Sequence, residues 1–567
     1  MATTNPSVGN EAIAKHPWWR EAEFAWLILL VVFAYFLRAG ELPIRGEEST
    51  RAEIAFEMVE GNDWLVPKRF GEPLRIRPPL QNWLIAISCL ALGSWSEWAV
   101  RFHSMLATLL TTLMIYGYAR GFLTRLGAFA AAAAFATLAD MFAMGRQAET
   151  EALFTFLVSA SMFVWHWGWT RGWPDVLSFA AGYSFMALAM LTKGLQAPMY
   201  FGGSIGIFLI ISGQWRRLFS LSHVFGSLAA VAILLAWIIP YSQAMGWAEV
   251  HSIWFGDPAI RNAGISSWKV GDTLAHLVTL PLELIAGTLP WSLLLVPYLS
   301  KDFRRSIHMA GSQVQFMTVC LAVAFPSCWI PPGGQPRFFS PLFPCVAVLI
   351  GLAIERCVTE RDAVKAGLNR TWQIYLVVMA GVMGLLALGM VAVALLKPFI
   401  AALEPYSGPP LVTLGYVAAT IGLAILILRL RRSTDPSLAR FAVLGVAGFT
   451  VLALSGAFFD IRVRRSENAP AAMRRLKEQL PPGQQLVSIS GQLDCLFPYY
   501  YGRPVVRVGS WPRSAEDAVP TYFCFQCPGA SRPTLPFAWE EIAAIPLDRN
   551  HHAVSEDVVV VGRRLAK

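Results

Sequence analysis

Apolar runs close to 20 residues long recur along this chain from residue 24 to residue 459. A run of that length is what an α-helix needs to cross the hydrocarbon core of a bilayer. A backbone in lipid must satisfy its own hydrogen bonds, so such runs are expected to be helical. Composition agrees: 55% of the residues are hydrophobic and 15% are charged, where a soluble domain carries nearer to about 25% charge. The fold class expected is therefore a polytopic α-helical membrane protein.

Counting runs and flanks gives about 13 spans. They lie near 24–39, 99–117, 126–144, 152–169, 177–192, 197–212, 223–244, 279–299, 314–331, 338–355, 372–396, 411–430 and 441–459. The first follows a polar leader with Lys15 and Arg20 and has no small-residue cleavage site, so it reads as an uncleaved span. Alternate connections carry Arg120 and Arg125, then Arg171, then Arg216 and Arg217, then Lys301, Arg304 and Arg305. The series continues with Arg356, Arg361, Lys365 and Arg370, and ends with Arg429, Arg431, Arg432 and Arg440. All of these fall on one side, which the positive-inside rule makes cytoplasmic. The N-terminus is then cytoplasmic and the tail after 460 extracytoplasmic. Topology accounts for most of the net charge of +9, so no nucleic-acid partner is expected.

What topology does not account for is basic charge on the opposite face. The first loop, 41–98, holds Lys68, Arg69, Arg75 and Arg77, and Arg146, Lys193, Arg261, Lys269 and Arg337 occur singly. Such residues suit recognition of an anion such as a lipid phosphate. Two interfacial helices are expected in this loop, Arg51–Glu60 with Ser49 or Thr50 as N-cap, and Leu80–Leu92. The adjacent Glu47 and Glu48 follow Gly46. They suit either a helix start favoured by the dipole or a general base acting on an acceptor hydroxyl or amine. Arg77, set before Pro78 and Pro79, could grip a phosphate with two parallel hydrogen bonds or simply reach lipid head groups. Glu151 stands at the start of the fourth span, where Thr150 could cap the helix. Lys193 and Arg337 each suit an interface anchor or a phosphate partner.

The tail alternates short β-rich runs (QLVSIS, VVRV, TYFCFQC, DVVVVGRRL) with a helix-like AAMRRLKEQL, so 461–567 is expected to be a small α/β domain following a 1–460 transmembrane domain. Cys524 and Cys527 form a CxxC with no second such pair. On an extracytoplasmic face a structural disulfide, with Cys495 as an alternative partner, is the expectation. The other five cysteines lie in or beside apolar runs and read as packing residues.

The first loop resembles that of polyprenyl-phosphate-sugar glycosyltransferases of the C-type superfamily, in particular the lipid A aminoarabinose transferases, which are related to protein O-mannosyltransferases. The residues that carry the resemblance are Glu47-Glu48, Ala52-Glu53, Asn62-Asp63-Trp64-Leu65-Val66-Pro67, and Arg77-Pro78-Pro79-Leu80 with Trp83. It continues at Arg146 to Phe156, Leu191-Thr192-Lys193-Gly194, Leu289-Pro290-Trp291-Ser292, Gln335-Pro336-Arg337 and Pro341-Leu342-Phe343-Pro344, covering roughly 24–355. Departures are specific. Glu47 and Glu151 stand where the family has aspartate, Arg77 where it has lysine and Ile76 where it often has an acid. The family's loop histidine has no counterpart around Pro258–Arg261, although His251 lies nearby.

The resemblance implies a multi-pass inner-membrane enzyme that moves a sugar from a polyprenyl-phosphate donor to a lipid, glycan or protein acceptor on the extracytoplasmic face. Glu47, Glu48 and Glu151 would be its catalytic carboxylates. Arg77, Lys193, Arg337 and Arg261 would bind the phosphate. Glu53 and Glu57 fall back to surface residues. No cofactor is expected, and the missing histidine leaves a divalent cation without support. The alternatives are a lipid or sugar transporter and a non-catalytic member of the same fold. Transporters tend to place ionisable groups at the midplane in repeated halves, whereas here they stand at span ends and no repeat is evident.

Overall fold

The computed structural model describes residues 17–565 except 75–76, 257–269, 308–310, 332–333, 360–364, 467–468, 492, 504, 508–510, 513, 515–518, 530 and 548–556. At its centre lies helix Arg125–Ala136, an alanine-rich segment with every residue from Leu126 onward buried. It packs along helix Phe343–Thr359. The contact is close because small residues meet: a Cβ on Gly351 would lie 2.3 Å from the Gly127 carbonyl oxygen and 2.7 Å from the Ala131 Cβ. Between helices in a membrane, such approach gains van der Waals contact that larger side chains would forbid. Glu355 fixes the register by accepting from the Thr124 backbone N–H at 2.7 Å and from its hydroxyl at 2.5 Å.

Helices surround this pair, and the protein is a multi-pass membrane protein. Among the described residues, 7 helices are long and apolar enough to cross a bilayer, or up to 8 if the bent pair Val270–Gly287 and Trp291–Leu299 counts as one. That is fewer than the sequence count. The run expected at 279–299 is broken by 116°. The run at 126–144 stops at Thr137 and restarts at Ala139. At Thr137 the backbone leaves the helix (φ −125°, ψ 16°), and its hydroxyl donates to the Ala133 carbonyl at 2.7 Å and accepts from Trp291 Nε1 at 2.8 Å. Other apolar runs, such as Ala22–Phe36 and Gln196–Ile211, form shorter helices.

Both first-loop helices are present, as Glu47–Glu60 and Leu80–Leu92. Between them a short hairpin pairs β1 (Lys68–Arg69) with β2 (Glu72–Pro73). Its turn is held by Glu57, which accepts from the Phe70 and Gly71 N–H groups at 2.5 and 3.0 Å. Glu57 is thus a loop brace. Glu53 corrects the expectation of a surface residue: it is fully buried, and neither carboxyl oxygen has a hydrogen-bond partner among the described residues.

The tail forms a five-stranded mixed sheet, order β4-β3-β5-β7-β6. The strands are β3 (Val487–Ser488), β4 (Val506–Arg507), β5 (Tyr522–Pro528), β6 (Trp539–Pro546) and β7 (Asp557–Arg564). Helices Ala469–Gln479 and Leu496–Tyr501 accompany it. The expected disulfide is absent, and all eight cysteines are free and buried. The reason is the strand itself. Cys524 and Cys527 both lie on β5, where an i, i+3 spacing sends the two side chains to opposite faces. They belong to different apolar clusters accordingly. The sheet domain docks on the first loop through Tyr499, whose hydroxyl donates to the Trp95 carbonyl at 2.6 Å. Tyr500 donates to Glu97 at 2.9 Å and accepts from the Ile44 N–H at 2.8 Å.

Candidate functional site

Gly46 turns the chain into the first-loop helix with φ 53° and ψ −133°, a conformation L side chains rarely adopt. The helix starts at Glu47, not Arg51, and no side chain caps it. Ser49, expected as a cap, instead donates to the Gly46 carbonyl at 2.9 Å. Both acids therefore sit in the first turn, where the dipole favours them. Successive helical side chains point about 100° apart, so the two carboxylates part company.

Glu47 is exposed, whereas Glu48 is fully buried. Glu48 meets Arg101 in a bidentate pair, Nε–Oε1 and Nη2–Oε2 both at 2.9 Å, and accepts from the Ala148 N–H at 2.7 Å. Burial works against its charge, yet the Arg101 guanidinium and the Ala148 N–H hold the carboxyl below its usual range. Arg101 also donates to the carbonyls of Ala39, Leu42 and Pro43 at 2.6, 2.8 and 3.0 Å. Every oxygen of Glu48 is occupied, so its place is structural: it ties the first loop to the 145–149 corner. Glu48, expected among the catalytic carboxylates, thus lies in a buried ion pair while its neighbour Glu47 is exposed.

Three of the other expected residues meet. Lys193, buried at the end of helix Asp175–Lys193, lies 3.0 Å from Glu151 and over the rings of Phe338 and Phe154 at 5.0 and 5.4 Å. Arg337 reaches Glu149 at 3.5 Å and Glu151 at 3.9 Å. Thr150 is not the cap of the helix Thr150–Arg171. The cap position is Glu149, without a side-chain bond. Glu149 is pushed up to about 7 by burial and by the neighbouring carboxylates Glu151 and Glu48, against the pull of Arg337. Glu151 is committed to Lys193, which leaves it little freedom to take a proton.

Arg77 stands half-buried before the helix Leu80–Leu92 and acts electrostatically on Glu151, Lys193 and Arg51. Among the described residues it has no hydrogen bond or ion pair. Arg51 was not anticipated. It is 6% exposed, likewise without a hydrogen bond or ion pair among the described residues, and its charge feels Arg77, Glu47, Glu151 and Glu149. Burial and Arg77 push it down to about 10. The signal for it was in the sequence: Glu47 and Arg51 are four apart, and such pairs share a helix face. Arg261 lies outside the described residues. Among the described residues no group of three His, Cys, Asp or Glu side chains could hold a metal ion.

The site therefore consists of an exposed carboxylate, Glu47, beside two uncommitted guanidiniums, with the Glu151–Lys193–Arg337 network behind them. An apolar cavity of about 560 Å³ lies nearby, lined by residues such as Leu284, Val296, Phe325 and Phe339. One short segment, Pro336–Leu342, serves both places. It presents Arg337 and Phe338 to the acid–base cluster and Phe339 to the cavity.

The crystal structure of ArnT from Cupriavidus metallidurans in the apo state superposes with a TM-score of 0.68, covering 95% of this chain and 98% of that one at 18% identity. The chain has the C-type glycosyltransferase fold. This bears out the resemblance seen in the first loop. The same ArnT bound to undecaprenyl phosphate matches with a TM-score of 0.68 at 19% identity, again over 95% of this chain and 98% of that one. Residues 76–241 match the family model for dolichyl-phosphate-mannose-protein mannosyltransferases. Two undecaprenyl phosphate-alpha-4-amino-4-deoxy-L-arabinose arabinosyl transferases are similar in sequence. The one from Edwardsiella ictaluri is 26% identical over 350 residues, 59% of this chain and 60% of that protein. The one from Aeromonas hydrophila subsp. hydrophila is 29% identical over 390 residues, 66% of each. The chain thus spans less than two thirds of the length of these ArnT-like relatives.

Proposed function

We propose that this protein is a membrane glycosyltransferase that moves a sugar from a polyprenyl phosphate to an acceptor. The observation that carries the reading is the pairing of Arg51 and Arg77, two guanidiniums without a carboxylate within 4.0 Å among the described residues, with the exposed Glu47 on the same helix face. Guanidiniums left unpaired in a half-buried site are suited to an anionic ligand, and a planar fork matches a phosphate. The apolar cavity one side chain away from Arg337 supplies a surface for a prenyl chain. The relatives named for undecaprenyl-phosphate sugars support the same donor class.

In this reading the acceptor O–H or N–H attacks the anomeric carbon and Glu47 takes its proton. The bond from the anomeric carbon to the phosphate oxygen breaks, and its electron pair leaves with the polyprenyl phosphate. Arg77 and Arg51 stabilise the charge that develops there, with Lys193 and Arg337 holding Glu151 and the surrounding field. The acceptor is a lipid, glycan or protein. The distribution of basic connections supports an extracytoplasmic site, a cytoplasmic N-terminus and a sheet domain on the outer side of the inner membrane.

Purified protein in detergent, given a radiolabelled polyprenyl-phosphate sugar and a cell-envelope lipid extract, should label the acceptor. Glu47→Gln and Arg77→Ala should each lower the rate by about 100-fold or more. Full activity in both variants would refute the assigned roles.

A further inference from the structure

The helix Leu80–Leu92 carries a buried polar side chain outside the cluster described above. Gln81, in its first turn, is 1% exposed. Its amide nitrogen lies 3.2 Å from the Ala148 carbonyl, 3.1 Å from the Glu149 carbonyl and 2.7 Å from His103 Nε2. The two carbonyls fix the amide's orientation, because an amide oxygen turned toward them would be repelled. Its own oxygen is buried without a hydrogen-bond partner among the described residues. Burying that oxygen is costly, so the N–H groups are what the side chain contributes.

They hold the corner that carries the acids. Ala148 is gripped through both of its backbone groups: the N–H donates to Glu48 at 2.7 Å, and the carbonyl accepts from Gln81. Glu149 stands just outside the helix Thr150–Arg171 with an extended backbone, and Glu151 lies in that helix's first turn. A tilt of the corner would therefore move both carboxyls. At its other end Gln81 stands four residues after Arg77, with Pro78 and Pro79 between them. Proline rings fix φ, which leaves that arm little freedom. One side chain thus joins the arm that bears Arg77 to a corner 67 and 68 residues further along the chain.

We propose that Gln81 is a positioning residue for the transfer: through the Ala148 and Glu149 carbonyls it sets the offset between the Arg77 arm and the Glu149–Glu151 corner. What the offset serves rests on the transferase reading above, whereas the offset itself rests on the hydrogen bonds alone. Buried as it is, Gln81 acts through Arg77 and Glu149. The Glu149 carboxyl meets Arg337 at 3.5 Å and feels the charges of Glu151, Glu48 and Glu47, so its titration reports where the corner stands. Without Gln81 the corner opens to water, and that carboxyl moves from about 7 toward the ordinary 4.5.

The test compares variants of the full-length protein in detergent, each checked for folding by its melting temperature. Gln81→Met keeps the side chain's length and removes both donors. Gln81→Glu keeps its shape with at most one donor, and carries the comparison if Gln81→Met does not fold. Ser88→Ala, on the same helix, loses only a bond of 2.7 Å back to the Leu84 carbonyl and is the control. The first readout needs no substrate: the infrared band of the protonated Glu149 carboxyl, identified by its loss in Glu149→Gln. It should titrate at least about one pH unit lower in Gln81→Met, in between in Gln81→Glu and as in the parent in Ser88→Ala. The second readout is transfer from the radiolabelled polyprenyl-phosphate sugar. Gln81→Met should lower kcat/KM by about tenfold, the worth of one or two hydrogen bonds, and move the rise in donor KM to lower pH. An unmoved Glu149 titration in the folded variants, or an equal shift in Ser88→Ala, overturns the hold on the corner. A moved titration with the parent's kcat/KM and KM profile overturns the role in transfer. A parent that transfers no sugar, with the titration moved as expected, refutes the transferase reading and leaves the hold on the corner standing.

Discussion

Glu47 and Glu48 are adjacent and chemically identical, and the structure gives them opposite parts, so exchanging each for glutamine should yield opposite results. Glu48→Gln replaces one carboxylate oxygen by an amide that cannot accept from Arg101, in a pair that is 4% and 0% exposed. Arg101 is then a buried cation whose remaining partners are three carbonyls. Removing one member of a buried pair costs about 3–5 kcal/mol. At the lower end, for a cooperative unit of 150–250 residues, melting should fall by about 6–12 °C. Glu47→Gln removes no hydrogen bond or ion pair among the described residues, so melting should stay within about 1 °C of the parent. Transfer at a temperature where both variants remain folded should fall by about 100-fold or more for Glu47→Gln. For Glu48→Gln it should fall only as far as the loosened loop misplaces Glu47. Thermal denaturation followed by intrinsic fluorescence, paired with initial rates at saturating donor, separates the two. A Glu48→Gln variant that melts like the parent and is inactive would refute the structural role of Glu48. An active Glu47→Gln variant would refute the general-base role of its neighbour.

Glu149 should give the reaction a pH dependence of its own. Its folded value is raised from 4.5 to about 7, so between those values the folded protein keeps a proton that the unfolded chain has released. Stability then falls as pH rises across that window and levels off above it. The ionised form also neutralises Arg337 at 3.5 Å, so the donor KM should rise several-fold between pH 6 and 8, and Glu149→Gln should flatten both trends. A KM slope that survives in Glu149→Gln assigns the titration elsewhere. Tyr500→Phe should loosen the first loop without unfolding the core, because it strips the Ile44 N–H and Glu97 of a shared partner. Hydrogen exchange across 41–50 should quicken while helix Arg125–Ala136 stays protected, and unchanged exchange would show that the sheet domain does not brace the loop.

What could be read from the chain alone divides along a physical line. Apolar runs announce helices because lipid leaves the backbone no alternative, and both first-loop helices, the membrane region and the mixed helix–strand tail were legible that way. Hydropathy cannot see a change of backbone angle inside an apolar run, so the break at Thr137 and the 116° bend before Trp291 were invisible. Charge was legible as position and illegible as partnership. Lys193 and Arg337 stood off the topological pattern, and the structure brings both to Glu151, with Arg77 acting on that network electrostatically. Glu48 and Glu53 looked like their exposed neighbours, and only the packing of the Glu97–Ala119 helix and the sheet domain makes one a paired brace and the other a buried orphan. Arg51 shows the opposite error. Its spacing from Glu47 was visible, but a basic residue on an amphipathic loop helix has an ordinary explanation until it is found buried without an ion pair among the described residues. In a membrane protein the informative charge is the one whose partner is missing. The sequence names the candidates for that status, and the fold decides among them.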